Sequence, residues 1–229
     1  MEMDSNLVNK LKENVLFKGM TEEEILQCLQ CSRSKQKKYE KEETIFDRTD
    51  TPVSLFVLLE GSLVVCKDSL DGKRYIATQI EENDIFGEVF VFLDNVTYTY
   101  YGIATSDCAV LEIPKEFFYI TCGNGCNGHS KLINNLLRVL AQKAYFLNNK
   151  VQLLTSGTLR QKIARLLLEL CNESQIVKLN MNREQMASYL NVTRPSLSRE
   201  LINMQKDQLI ELDQDTIKIL DYQGLEDQL

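Results

Sequence analysis

The sequence has no tryptophan and one histidine, His129, in 229 residues. A cupin-like metal site in a β-roll needs several histidine ligands, so one imidazole argues against that enzyme class. No apolar run approaches the ~18–20 residues that span a bilayer. The amino terminus, MEMDSNLVNK, is polar and acidic rather than the start of a secretory signal. The seven cysteines are therefore expected as reduced thiols, and the protein is expected in the cytoplasm. An excess of positive charge is lacking as well: 26 Lys and Arg stand against 33 Asp and Glu, a formal net charge of -7. That balance argues against wholesale coating of nucleic acid but leaves room for one basic face. There is no internal repeat and no low-complexity tract.

What is present reads as a globular chain long enough for one large domain or two smaller ones. Residues 21–31 (TEEEILQCLQC) form a helix pattern, with Thr21 as cap, Glu24 at the capping-box position and Ile25, Leu26 and Leu29 at helical spacing. From about Gln36 to Ile113 the pattern is short and β-like. Its candidate strands are 54–59, 62–67, 74–80, 97–104 and 108–113, punctuated by turn residues such as Glu60-Gly61 and Asp71-Gly72. Antiparallel β structure in a sandwich or roll follows. After a Gly/Asn loop (122–129) the texture turns helical, and Ile133, Leu137, Leu140, Ala144, Leu147, Val151 and Leu154 recur at alternating steps of four and three. That is a heptad seam, the pattern of a helix that pairs with a second copy of itself. Leu132 and Leu136 lie beside the seam, where they can pack on the roll. TSGT (155–158) ends the helix.

The carboxyl section contains NREQMASYLNVTRPSLSRELINMQ (182–205). Asn182 and Thr193 are N-caps, Asn191 suits a left-handed bend, and Pro195 is tolerated in the first helical turn. Met186, Leu190, Leu197, Leu201 and Met204 point inward. Arg194, Ser196, Ser198 and Arg199 are left towards solvent at the start of the second helix. From Asn182 to Lys206 four basic residues face two acidic ones, within a section that holds 9 basic and 11 acidic residues from Thr158 onwards. A local cationic helix start with hydroxyl side chains suits a DNA major groove, where Arg bonds bidentately to guanine O6 and N7. The segment LIELDQDTIKIL (209–220) follows as a hairpin wing.

On FVLLEGSLVV (56–65), DIFGEVFVF (84–92), the long helix, RQKIARLLL (160–168) and 182–210, the chain resembles the Crp/Fnr family of bacterial transcription regulators over nearly its whole length. The resemblance implies an α+β chain in three parts. These are an antiparallel jelly-roll of the cyclic-nucleotide-binding kind over 1–128, a dimerisation helix over 129–155, and a winged helix-turn-helix over 156–229. It implies a homodimer reading a palindromic DNA operator, with RNA polymerase as a partner if the protein activates. Thr193, Arg194, Ser196, Ser198 and Arg199 would face DNA, with Arg199 reading a guanine. Pro195 stands where the family often has an acidic residue, so the family's usual half-site is not carried over.

In nucleotide-binding relatives a phosphate cassette begins with Gly-Glu and ends with Arg-Ser or Arg-Thr. Here Gly87, Glu88 and Val89 match its start, while Tyr98-Thr99 stand at its end, and Leu147 and Asn148 occupy the region that would meet a purine. Tyrosine supplies one hydroxyl where a phosphodiester needs a cation, which argues against cyclic AMP and leaves the effector open. Cys28, Cys66, Cys108 and Cys171 read as small core residues. Cys122, Cys126 and His129 in one loop have the chemistry to hold zinc or iron, or to form a redox disulfide. Cys28-x2-Cys31 falls short of the three amino-terminal cysteines of the family's iron–sulfur members. The alternative function is a ligand-sensing regulatory or scaffold subunit that does not bind DNA, against which Arg194 and Arg199 count.

Overall fold

Side-chain alternation along the strands decides the architecture of the first unit, Met1–Ala141. The structure, a computed structural model, describes residues 5–69, 71–94, 96–119, 127–155, 157–179, 181–213 and 216–229. In chain order the unit holds α1 (Ser5–Glu13), a 3-10 turn (Val15–Phe17), α2 (Glu22–Ser32), β1 (Lys35–Tyr39), β2 (Thr44–Phe46), β3 (Ser54–Glu60), β4 (Leu63–Asp68), β5 (Arg74–Ile80) and β6 (Ile85–Phe86). Then come α3 (Glu88–Val91), β7 (Tyr101–Ala104), β8 (Cys108–Pro114), α4 (Glu116–Tyr119) and the first half of α5 (Asn127–Thr155). The strands form two antiparallel four-stranded sheets, in the orders β1-β8-β3-β6 and β2-β7-β4-β5.

The unbroken apolar run of β3 is covered on both faces. Leu55, Val57 and Leu59 join Leu11 of α1, Ile25 and Leu29 of α2, and Leu132, Leu136 and Val139 of α5 in one core. Phe56 and Leu58 point the other way, into a second core between the sheets with Phe46, Leu63, Phe86, Tyr98, Ala104 and Val110. Burying each Val, Leu, Ile or Phe side chain among these contributes about 1.5–3 kcal/mol. Buried Asn135 of α5 donates from Nδ2 to the carbonyls of Leu16 (3.0 Å) and Lys18 (2.9 Å), which fixes the helix against the amino-terminal turn.

The second unit, Gln142–Leu229, contains the rest of α5, then α6 (Leu159–Leu170), β9 (Ile176–Lys178), α7 (Arg183–Tyr189), α8 (Arg194–Lys206), β10 (Ile210–Asp213), β11 (Thr216–Ile219) and α9 (Tyr222–Glu226). Its antiparallel sheet has the order β10-β11-β9, and one core gathers Leu153, Ile163, Leu167, Val177, Met186, Leu197, Leu201 and Ile217. The chain is thus α+β, with an antiparallel roll, a long helix and a winged helix-turn-helix. Among the described residues no helix is long and apolar enough to cross a membrane.

Several elements differ from the sequence reading. Strand β7 starts at Tyr101 rather than at residue 97, because Tyr98 leaves the sheet to fill the inter-sheet core. Strands β1, β2 and β6 and helices α1, α3, α4 and α9 are short or lack a clean apolar period, and the sequence did not single them out. The long helix contributes to both cores. Leu132, Leu136 and Val139 belong to the first core and Leu153 to the second, so the contact boundary falls at 141/142. Cys28, Cys66 and Cys108 are buried, whereas Cys171 caps α6 half-buried.

Two glycines with positive φ give a stability test. A Cβ on Gly61 (φ +85°) would meet the Asp107 carbonyl oxygen at 2.3 Å, whereas Gly72 (φ +76°) faces open space. Gly72→Ala is expected to cost about 1–2 kcal/mol from backbone strain alone. Gly61→Ala carries the same strain plus the clash and is expected to cost clearly more, measured by urea unfolding of each variant.

Candidate nucleic-acid interface

Each helix of the pair is started by its own side chains. Asn182 accepts from the Gln185 amide while Gln185 Oε1 accepts from the Asn182 amide, a reciprocal cap at the head of α7. Thr193 accepts from the Ser196 amide at the head of α8, and its hydroxyl lies 2.9 Å from that of Ser196. Pro195 fits the first turn because no intrahelical partner is lost there. Between the helices Asn191 takes φ +54°, the left-handed bend. Met186, Ala187 and Leu190 of the first helix, and Leu197, Leu201 and Met204 of the second, are buried in one core.

That burial fixes which side of α8 is free. Thr193, Arg194, Ser196 and Arg199 are exposed, whereas Ser198 is half-buried. The sequence placed Ser198 in solvent. It sits one residue from Leu197 around the helix, at the border of the buried stripe. Arg194 Nη1 lies 3.5 Å from Glu184 Oε2, an exposed pair across the α7–α8 groove that Ala187, Ser188, Asn191 and Thr193 also line. Glu200, the acidic neighbour of Arg199, is turned to Arg160 of α6 instead, so no acidic partner holds Arg199 among the described residues.

The sequence did not single out Arg160. Its Nε donates to Glu200 Oε1 and its Nη1 to Asp207 Oδ2, both at 2.6 Å, so one guanidinium ties α6 to the middle and the end of α8. Hydrogen bonds to Glu200 and then Asp207 hold its pKa above the ordinary arginine value. Lys150 of α5 was missed too. Its Nζ donates to the Tyr189 carbonyl at 2.6 Å, at the end of α7, and lies 3.1 Å from the centre of the Tyr189 ring. Burial lowers its pKa. Neither partner is close in sequence, and pairing of this kind leaves no periodic signal.

The seam residues of α5 divide. Leu137, Ala144, Leu147 and Val151 are exposed, with Leu147 at 60%. Ile133 and Leu154 are half-buried. Leu140 is half-buried against the first core and is therefore not a purely intermolecular position.

The candidate effector residues divide between the interior and the surface. Gly87 (φ +81°) starts α3, and a Cβ there would meet the Phe56 ring at 2.8 Å. Glu88 is buried rather than a surface residue, while Val89 and Thr99 are exposed. Tyr98 is 3% exposed, with its ring centre 4.4 Å from Phe46 and 5.5 Å from Phe90. Burial first, then Asp50 and Glu112, push its phenol up to about 12, so it stays neutral. Arg48 pairs with Asp68 at 3.2 Å, and Arg48 and Arg74 both lie over the Tyr101 ring. Leu147 and Asn148 are exposed on α5 in the second unit. His129 is buried and stacked on Phe117 at 4.2 Å between ring centres, while Cys122 and Cys126 lie outside the described residues. No group of three potential metal ligands occurs among the described residues.

Family models match two stretches: a cyclic nucleotide-binding domain at residues 36–123 and a Crp-like helix-turn-helix domain at 161–228. The chain is 21% identical over 217 residues to the cyclic AMP receptor protein of Thermus thermophilus, covering 95% of this chain and 97% of that one. It is 23% identical over 189 residues to the cAMP-activated global transcriptional regulator CRP of Pasteurella multocida, covering 80% and 88%. Among solved structures, the Thermus thermophilus catabolite activator protein aligns over 94% of this chain and 98% of its own. The TM-score is 0.54 at 20% identity, a likeness of fold.

The bridge made by Arg160 gives a direct test. Arg160→Met keeps the aliphatic stem and removes both charged hydrogen bonds. It is expected to lower the stability of the carboxyl unit by about 1–2 kcal/mol, since the pair is partly exposed. Thermal unfolding should show a loss that shrinks at high salt.

Proposed function

Because this chain belongs to the Crp/Fnr family of transcription regulators, we propose that it acts as a homodimer that reads a palindromic DNA operator through α8, under control of an effector other than a cyclic nucleotide. The observation that carries this reading is the start of α8: Arg194 and Arg199 are exposed, while the opposite stripe of the same helix is fully buried. A buried stripe holds the helix rigidly and leaves its amino end free to enter a major groove, as in other helix-turn-helix proteins. Arg199 would bond to guanine, with Thr193, Ser196 and Ser198 as hydroxyl neighbours for phosphates or base edges. RNA polymerase is the further partner if the protein activates.

The exposed seam of α5 supports the dimer. Leu137, Leu147 and Val151 are each more than half exposed, and a second α5 would bury all three. In two-fold pairing the α8 helices would enter successive major grooves about 34 Å apart.

The interior of the roll supports the exclusion of cyclic nucleotides. Phe46, Phe56, Phe86 and Tyr98 are packed between the sheets where polar ligand groups would have to enter. A phosphodiester brought beside neutral Tyr98 would lose its water without gaining a cation. Arg48 and Arg74 are engaged around Tyr101, on the side of β7 away from that core.

Arg199→Ala is expected to weaken binding to a selected operator roughly 5–150-fold, the loss of about 1–3 kcal/mol from one bidentate guanine contact. Unchanged affinity in a gel-shift titration would overturn the assignment. For the dimer, Leu147→Asp is a cleaner variant than a charge at Leu140, which would damage the first core as well. It is expected to give a folded monomer in sedimentation at micromolar concentration, with operator binding lost in parallel. A dimer that persists would place the interface elsewhere.

A further inference from the structure

The outward stripe of α8 is not uniformly polar. Pro195, Arg199, Ile202 and Lys206 follow one another at steps of four, three and four residues, opposite the buried Leu197, Leu201 and Met204. Pro195 and Arg199 are exposed, and Ile202 is 48% exposed. A carbon-only side chain therefore stands on each side of Arg199 along the helix. At 1.5 Å per residue they are set about 6 Å before it and about 4.5 Å after it. Both are stiff: the pyrrolidine ring is closed, and a β-branched residue has one strongly preferred rotamer in a helix. Neither donates or accepts a hydrogen bond from its side chain.

In the major groove the thymine C5-methyl is the apolar mark that distinguishes one base-pair edge from the others. A residue without donor or acceptor at position 195 does not engage cytosine N4, and isoleucine at 202 pairs with no polar edge. We propose that Pro195 and Ile202 read thymine methyl groups on either side of the guanine taken by Arg199. This rests on α8 being the DNA-reading helix. The two side chains are about 10 Å apart along the axis, a span of roughly three base-pair steps at about 3.4 Å each. Each half-site would then carry a guanine bracketed by thymines, and its specificity would come from carbon contacts as well as from charge.

The test uses operator duplexes enriched by the wild-type protein from a random pool. Each thymine within four base pairs of the invariant guanine is replaced in turn by deoxyuridine, symmetrically in both half-sites. That change removes one methyl and leaves the hydrogen-bonding edge unchanged. The expected result is two sensitive positions flanking the guanine, each weakening binding about fourfold per methyl, the equivalent of about 0.8 kcal/mol. Ile202→Ala is expected to abolish the sensitivity at one of them and keep the guanine requirement. Pro195→Glu is expected to convert the preference at the other from thymine to cytosine, because the carboxylate accepts from N4. If wild type binds thymine and deoxyuridine duplexes equally at every position, methyl reading is overturned while the DNA-reading role of α8 stands. A pool that yields no enriched duplex overturns that role, and methyl reading with it.

Discussion

The carboxyl unit depends on one buried stripe, Leu197, Leu201 and Met204, which seats α8 against the core. All else about the helix follows from that seat. With one side committed to apolar contact, the other side is committed to solvent, and the positions of Arg194, Arg199 and Ile202 are decided by helical geometry rather than by their own interactions. The Arg160 bridge to Glu200 and Asp207 then resists sliding of α8 along the seat. It also removes the acidic neighbour that would otherwise draw Arg199 back to the protein. One interaction thus restrains the helix and leaves the neighbouring guanidinium available.

The roll follows a different constraint. Its inner core is built from rings: Phe46 stacks on Phe56 at 6.1 Å, Phe56 on Phe86 at 5.0 Å, and Tyr98 closes on Phe46. Gly87 and Gly102 make room for that packing, since a Cβ at either would strike a phenylalanine ring. Both glycines are restricted by the volume of their neighbours, so Gly87 of the Gly-Glu pair here serves an aromatic interior. A cation placed among these rings without a partner would be costly to desolvate.

The sequence was most legible where periodicity and caps coincide. Thr21 with Glu24 and Asn182 with Gln185 form the capping boxes that their spacing implies, and Asn191 takes the left-handed bend. The buried positions of α7 and α8 follow from their 3.6 period. The limits of β7 were hidden because Tyr98 is as strand-like as its neighbours, and only the competing demand of the inter-sheet core pulls it away. Leu140 looked like any other seam position, yet it rests on its own unit, because heptad spacing does not say which neighbour covers a residue. The bonds of Arg160 and Lys150 join residues 39 to 47 apart in sequence. Such pairs are set by tertiary approach and leave no local pattern.

The bare stretch of α5 around Leu147 has a consequence at the level of the cell. With α5 pairing as proposed, the DNA-competent species forms from two chains, and its amount rises as the square of chain concentration while monomer predominates. Doubling synthesis would then raise operator occupancy about fourfold in the dilute limit. Expression level would act as an input in its own right, alongside any small molecule the roll detects.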